Sequence, residues 1–157
     1  MIDIRDLVFS YQGSKHQVFS HFDLQLEQGR IYGLLGKNGT GKSTLLYLIS
    51  GLLMPNSGSV SVDGVESKLR KPELLSQMFI VPEEYNMPDM SFDSLCTLMR
   101  SFYPTFSDEL FKQCLAEFAM PANPNPKELS MGQKKKVDMS ITIDTGTRQM
   151  MMNEPTN

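Results

Sequence analysis

The feature that most constrains the fold of this chain is a glycine-rich loop between an apolar run and a short helical stretch. The loop has the spacing G-x-x-x-x-G-K-S and comprises residues 36–43. The continuous apolar run at residues 31–35 is typical of a strand buried on both faces of a parallel sheet. After the loop, residues 42–50 predict a buried helix that Gly51 ends. The order strand, glycine loop, helix predicts an α/β fold.

This spacing suits the binding of nucleotide phosphates. Glycines let backbone N–H groups approach phosphate oxygens closely, and the N-terminus of the following helix adds a positive potential. Lys42 is predicted to reach the β- and γ-phosphates, and the Ser43 hydroxyl is predicted to bind Mg²⁺. A glycine-rich turn that binds nothing is the alternative, and the predicted order of strand, loop and helix disfavours it.

The charge balance limits the kind of phosphate compound involved. The 157 residues include 15 Lys and Arg against 18 Asp and Glu, with a net charge of -3 and a pI of about 5.4. Because such a surface does not suit broad neutralisation of a nucleic-acid backbone, no nucleic-acid partner is expected and the bound phosphate is predicted to be small. Cys96 and Cys114 form no C-x-x-C pair, so both are predicted to be buried apolar residues.

No targeting or membrane-spanning segment is predicted. The first six residues carry charges where a signal peptide needs an apolar stretch. The longest apolar-rich run, residues 45–54, is half the length of a membrane span and is interrupted by Ser50 and Gly51.

The rest of the chain first predicts strands and then helices. Residues 2–5 and 22–27 alternate between apolar and polar, which predicts two antiparallel strands, and residues 78–81 predict another apolar strand. Ser91 and Ser107 each precede apolar residues at helical spacing, which predicts a small helical insert over about residues 83–120. Residues 139–143 alternate and include Ile-Thr-Ile, so taken locally they favour a strand.

A second loop indicates a family. Residues 129–136, Leu-Ser-Met-Gly-Gln-Lys-Lys-Lys, follow the predicted insert and strongly resemble the signature loop of ATP-binding cassette (ABC) ATPases. Within that resemblance, residues 36–44 correspond to the Walker A loop, Tyr11 to the aromatic residue that stacks on adenine, and Glu154 to the glutamate that follows Walker B. Without the resemblance, Tyr11 would be a core residue, Ser130 an ordinary N-cap, and Lys134 to Lys136 a solvated helix face.

The resemblance implies a fold and a division of the chain. The fold is an α/β P-loop NTPase core of the ABC ATPase type with an antiparallel β portion and a helical insert. Residues 1–82 would form the antiparallel portion and the P-loop core, and residues 83–128 the helical insert. Residues 129–157 would return to the core as signature loop, helix and Walker B strand. In the family, residues 134–145 form a helix, and this expectation is kept over the local strand pattern.

The resemblance also implies the site residues, with ATP and Mg²⁺ as the ligands. Lys42 and Glu154 are the implied catalytic residues, and Glu154 would orient or deprotonate the water that attacks the γ-phosphate. The signature loop would hold ATP bound by the opposite subunit of a head-to-tail homodimer or heterodimer. The implied nucleotide-binding residues are Tyr11, Gly36, Asn38, Gly39, Thr40, Gly41, Lys42, Ser43 and Thr44. The signature residues are Ser130, Met131, Gly132 and Gln133.

Three departures from the family pattern predict impaired catalysis. Asn153 stands where Walker B has an aspartate, so the charge that helps hold Mg²⁺ is lost. Glu83 and Glu84 stand where the family usually has a glutamine; Glu83 could offer oxygen to the metal or remain an exposed carboxylate. The sequence ends at Asn157, before the family's D-loop and switch histidine, so we expect an incomplete domain that binds nucleotide and hydrolyses it slowly or not at all. The metal ligands expected are therefore Ser43 and, more weakly, Glu83 and Asn153.

The function expected from the resemblance is that of the ATP-binding subunit of an ABC transporter. Such a subunit would lie in the cytoplasm at the inner face of the membrane, held there by a membrane-spanning partner subunit. Two alternatives remain open. One is a non-transport ABC ATPase that acts on nucleic acid or ribosomes, and the other is a non-catalytic nucleotide-binding scaffold.

Overall fold

The structure is a computed structural model, and it describes residues 1–82, 88, 90–121 and 125–153. The chain divides into two compact units, Met1–Leu75 and Ser76–Asn157. The three-part division expected from the sequence stays a prediction. The strands are β1 (Ile2–Ser10), β2 (Gln17–Leu26), β3 (Ser57–Val62), β4 (Val65–Glu66), β5 (Met78–Val81) and β6 (Gln149–Met152). The α-helices are α1 (Lys42–Ile49), α2 (Pro72–Leu75), α3 (Phe92–Phe102), α4 (Asp108–Glu117) and α5 (Met131–Asp144).

The first unit contains a four-stranded antiparallel sheet in the order β2-β1-β3-β4. The alternating pattern of the first strand explains its position at the centre, because Ile2 and Ile4 lie opposite Val62 and Val60 of β3, and all four side chains are buried. The antiparallel portion predicted from the alternating residues is confirmed.

The apolar run at residues 31–35 does not form the buried strand that the sequence predicts. These residues adopt no regular structure and are exposed, Leu35 to 94% and Ile31 completely. The physical reason is pairing: neither of the two sheets formed by the described residues includes this segment. An apolar run without neighbouring strands has no acceptors and donors for its backbone, so its composition alone does not bury it.

Helix α1 follows the glycine loop as predicted. Its apolar residues Leu45, Leu48 and Ile49 are buried, and the helix packs against β3. Gly51 lies just beyond the helix end with φ 71°, the left-handed conformation that glycine adopts readily.

The second unit combines a parallel strand pair with three helices. β5 and β6 pair in register from Met78 opposite Gln149 to Val81 opposite Met152. The side chains of Ser91 and Ser107 accept hydrogen bonds from backbone N–H groups in the first turns of α3 and α4, so both predicted N-caps are confirmed. The core of this unit is made of Phe92, Leu95, Cys96, Phe106, Phe111, Leu115, Met120, Leu129, Val137 and Ile141.

Helix α5 includes the residues whose local pattern favours a strand, and the helix expected from the family resemblance is confirmed. Val137 and Ile141, four residues apart, are both buried in the core of the second unit. The Ser140 and Thr142 hydroxyls donate to the carbonyls of Lys136 and Asp138, one turn earlier. Helical burial of this face overrides the strand preference of the β-branched residues.

Both cysteines are free thiols. Cys96 is buried as predicted, whereas Cys114 is only half-buried.

Among the residues that the structure describes, no helix is long and apolar enough to cross a membrane.

Candidate functional site

The glycine loop presents an open backbone at the start of α1. Residues 36–40 are exposed, and a turn places the Thr40 N–H and hydroxyl on the Lys37 carbonyl at 3.4 and 2.9 Å. Gly39 has φ 82° and Gly41 φ 95°, values that L-residues with a Cβ rarely adopt. The loop conformation therefore depends on its glycines.

Close packing adds a second requirement for glycine at two positions. A Cβ built on Gly36 would lie 2.9 Å from the Thr40 Oγ1 atom. A Cβ on Gly41 would lie 2.6 Å from the Val18 Cγ1 atom and 3.1 Å from the Phe19 Cζ atom, both on β2. No spacing or residue pattern in the sequence indicates this support from β2.

The Lys42 ammonium group lies over the loop rather than in solvent. Its Nζ atom donates to the carbonyl oxygens of Gly36 at 2.9 Å and Lys37 at 3.1 Å. An ammonium group has three donors, so one remains to be directed at an anion above the loop. The dipole of α1 adds positive potential at the same place, and the first turn of α1 contains no acidic residue.

Tyr11 lies beside this loop, directly after β1. Its Oη atom is 2.8 Å from the Thr44 Oγ1 atom, and its ring meets the Phe9 ring edge-on with centroids 5.1 Å apart. Tyr11 is 45% exposed, so it is not the core residue that the sequence allowed as an alternative. The structure thus brings together Tyr11, the glycine loop and α1, which are distant in sequence. The sequence analysis did not anticipate the contact between Tyr11 and Thr44.

The predicted signature loop in the second unit begins α5. Ser130 is its N-cap: the Gln133 N–H donates to Ser130 Oγ, and the Ser130 N–H donates to Gln133 Oε1, at 3.2 and 2.9 Å. This reciprocal pair is a capping box. Met131 is largely exposed, and a Cβ on Gly132 would meet no atom within 4 Å. Ser130 is therefore an N-cap whose hydroxyl hydrogen can still be donated, beside an open surface.

Three of the predicted metal and catalytic residues, Glu83, Asn153 and Glu154, follow the two parallel strands in the sequence. Asn153 comes directly after β6, is buried, and donates its N–H to the Val81 carbonyl of β5 at 2.9 Å. Val81 and Met152 are register partners, so both strands end at the same sheet edge, where ligands of open α/β sheets bind. Glu83 and Glu154 lie outside the described residues. Among the described residues no three His, Cys, Asp or Glu side chains cluster to hold a metal.

Burial shifts the ionisation of several groups in the second unit. Burial raises the pKa of the Cys96 thiol to about 11 and raises the pKa of Cys114 and of Tyr103. Burial also raises the pKa of the Asp144 carboxyl, although the Ser107 N–H, 3.2 Å from Oδ1, opposes the shift. None of these groups belongs to the predicted site residues, so these shifts concern stability and thiol reactivity.

Comparison with protein families gives one match that covers most of the chain. Residues 19–157 match the family described as ABC transporter. The ABC transporter ATP-binding protein YtrB of Bacillus subtilis is 30% identical over an alignment of 158 residues, which covers 100% of this chain and 53% of YtrB. The methionine import ATP-binding protein MetN of Carboxydothermus hydrogenoformans is 32% identical, with 100% of this chain and 50% of MetN covered. The chain thus spans about half the length of these curated relatives.

Solved structures show the same fold. A Pyrococcus furiosus protein described as a putative ABC transporter ATP-binding protein has a TM-score of 0.80 at 25% identity, with 98% of this chain and 75% of that chain covered. The ATP-binding cassette MJ0796, solved as a dimer with ADP and Pi, has a TM-score of 0.81 at 20% identity, with 99% and 75% covered. These likenesses confirm the ABC ATPase fold with its antiparallel β portion and helices.

Proposed function

Because the chain belongs to the ABC transporter family of ATP-binding cassettes, we propose that it binds ATP at the glycine loop and serves a membrane transporter as its ATP-binding subunit. The observation that carries the proposal is the conformation of residues 36–44. There, an exposed backbone with two glycines at positive φ leads into a helix N-terminus, with the Lys42 ammonium group held over it.

The donors present in this loop fit a polyphosphate. Backbone N–H groups, the Ser43 and Thr44 hydroxyls and the Lys42 ammonium are all donors, and oxyanions accept hydrogen bonds from each of them. Thr40 is proposed to join them when its hydroxyl exchanges the Lys37 carbonyl for a phosphate oxygen. Gly36, Asn38, Gly39 and Gly41 are proposed to contact the phosphates through the backbone, because a ligand must approach closely there. The exposed face of the Tyr11 ring is proposed to stack on the adenine.

The binding of Mg²⁺ would depend on the nucleotide phosphates as much as on the protein side chains. Ser43 and Asn153 offer neutral oxygens, and Glu83 is a further proposed ligand. Mg²⁺ usually takes one or two carboxylates together with substrate phosphates, and it would neutralise charge on the transferring phosphoryl group. Because Asn153 supplies an amide where the family has a carboxylate, we expect weak Mg²⁺ binding and slow turnover. Glu154 remains the proposed residue that orients the attacking water.

The signature loop is proposed to act on a second nucleotide. Ser130 and Gly132, with Met131 and Gln133, would face the ATP of an opposing cassette in a head-to-tail dimer, as a homodimer or a heterodimer. The dimeric structure described for MJ0796 is a property of that protein and supports this arrangement here. The proposed partner in the membrane is a membrane-spanning subunit, which would hold the chain at the inner face.

The proposal is tested by calorimetric titration with Mg²⁺-ATP. Lys42→Ala removes a charge-assisted hydrogen bond to phosphate, worth about 1.5–3 kcal/mol, so we expect affinity to fall roughly 10- to 150-fold. Lys37→Ala is the matched control, because it removes the same charge from an exposed position of the same loop. Equal losses for the two variants would indicate general electrostatic attraction and contradict a phosphate site centred on Lys42.

A second experiment addresses turnover. Asn153→Asp restores a carboxylate at the end of β6, and we expect it to lower the Mg²⁺ concentration needed for half-maximal ATP hydrolysis. The assay is steady-state phosphate release across an Mg²⁺ titration, with Lys42→Ala as the inactive background. An unchanged Mg²⁺ dependence would contradict the proposed role of Asn153.

A further inference from the structure

Two independent contacts fix the orientation of the Tyr11 side chain. The ring meets the Phe9 ring at 81° with centroids 5.1 Å apart, and the hydroxyl lies 2.8 Å from Thr44 Oγ1, which is 33 residues further along the chain. Edge-to-face is one of the two favourable arrangements of aromatic rings. The phenol oxygen is therefore directed toward α1, while the ring face remains exposed.

Thr44 is one of the residues proposed above to donate to the nucleotide phosphates. It is in the first turn of α1, two residues after Lys42, and only 6% of its surface is exposed. A hydroxyl has one hydrogen to donate and can accept from others. Either oxygen of this pair can be the donor. A phenol is a stronger acid than an aliphatic alcohol, which favours Tyr11 as the donor and leaves the Thr44 hydrogen for another acceptor.

We propose that Tyr11 is a positioning residue whose hydroxyl donates to Thr44 Oγ1 and thereby directs the Thr44 hydroxyl at a phosphate oxygen of the bound nucleotide. The inference rests on the proposed function and extends it, because it gives Tyr11 a role toward the phosphates that is separate from stacking on the base. Hydrogen bonds in a chain polarise one another, so the first bond strengthens the second.

A ligand without a base separates the two roles. Inorganic tripolyphosphate has the phosphates of ATP but nothing on which a ring can stack. Binding of Mg²⁺-ATP and of Mg²⁺-tripolyphosphate is measured by calorimetry for the wild-type chain, Tyr11→Phe and Tyr11→Leu. Tyr11→Phe keeps the ring and loses the hydroxyl, and we expect it to weaken both ligands by the same factor, about 2- to 12-fold, the value of one hydrogen bond. Tyr11→Leu, which also loses the ring, should weaken the binding of ATP further than Tyr11→Phe does. It should weaken the binding of tripolyphosphate only as much as Tyr11→Phe does.

A double-mutant cycle identifies Thr44 as the intermediary. In a Thr44→Val background, Tyr11→Phe should change neither affinity, whereas in Thr44→Ser, which keeps a hydroxyl, its effect should persist. A merely structural role would lower the melting temperature of Tyr11→Phe and leave the affinity for tripolyphosphate unchanged. An unchanged affinity of Tyr11→Phe for tripolyphosphate would therefore overturn the inference. So would tighter binding by Tyr11→Phe, or an effect of Tyr11→Phe that is undiminished in the Thr44→Val background. If wild type binds neither ligand, the proposed function fails, and the inference fails with it.

Discussion

Gly41→Ala tests how closely the glycine loop is packed against β2. Gly41 has φ 95°, and an added Cβ would lie 2.6 Å from Val18 Cγ1 and 3.1 Å from Phe19 Cζ. Gly39 is the matched control: its φ is 82°, and a Cβ there would meet nothing within 4 Å. Both substitutions strain the backbone, but only one of them also overpacks the site.

The two contributions can be given magnitudes. A left-handed conformation costs an L-residue about 1–2 kcal/mol, which is the whole expected loss of unfolding free energy for Gly39→Ala. Overpacking typically adds about 1–3 kcal/mol, and Val18 is β-branched and stiff, so Gly41→Ala should lose about 2–5 kcal/mol in all. For a chain of this size the melting temperature falls by about 2–4 °C per kcal/mol, so it should fall by about 2–8 °C for Gly39→Ala and about 4–20 °C for Gly41→Ala.

The melting temperatures of both variants are measured by thermal unfolding followed by circular dichroism. The same measurement is made on Val18→Ala with and without Gly41→Ala. Val18→Ala removes the Cγ1 atom that the new Cβ would strike, so Gly41→Ala should cost less in that background, with a coupling of about 0.5–3 kcal/mol. Equal losses for Gly39→Ala and Gly41→Ala, or the same loss in both backgrounds, would refute the close packing of the loop on β2.

Three further predictions concern burial. Leu35 is exposed, so Leu35→Lys should change the free energy of unfolding in urea by less than about 0.5 kcal/mol. Leu48 is buried, so Leu48→Ala should lower the same free energy by about 2–5 kcal/mol. Similar losses for the two variants would contradict the exposed placement of residues 31–35. Because burial raises the native pKa of Asp144, its ionised form is disfavoured in the fold, and unfolding free energy should fall as pH rises from about 4 through that raised pKa. Asp144→Asn should flatten this pH dependence. If the unfolding free energy of Asp144→Asn, measured in the same urea titrations, falls with pH as steeply as that of the wild type, the raised pKa of Asp144 is contradicted. Burial raises the pKa of Cys96 to about 11, so at about pH 8 a thiol reagent should label half-buried Cys114 first and Cys96 only on unfolding; equal labelling rates in the folded chain would contradict this.

Local chemistry accounts for the parts of the fold that the sequence predicts correctly. The alternation at residues 2–5 and 22–27 became β1 and β2, because each pattern has a period that only a half-buried strand satisfies. The serines at 91, 107 and 130 became N-caps because a side-chain acceptor beside free N–H groups is stabilised whatever lies further away.

The features that local sequence patterns predict wrongly or do not show at all depend on distant residues. Residues 31–35 have the composition of a buried strand, but a strand also needs neighbours, and a run does not specify which strands lie beside it. The Ile-Thr-Ile segment of α5 is helical because Val137 and Ile141 share one buried face. The contact of Tyr11 with Thr44 spans 33 residues, and no local pattern encodes a contact over that distance.

The central claim is that the backbone of residues 36–44 holds the phosphates of ATP. The most direct measurement is a set of ¹H–¹⁵N correlation spectra of the chain titrated with Mg²⁺-ATP. The account predicts that the largest shift changes occur at the backbone amides of residues 36–44, and that Lys42→Ala shifts the titration to much higher ATP concentration while Lys37→Ala does not. Shift changes centred elsewhere, or none at millimolar ATP, would contradict it.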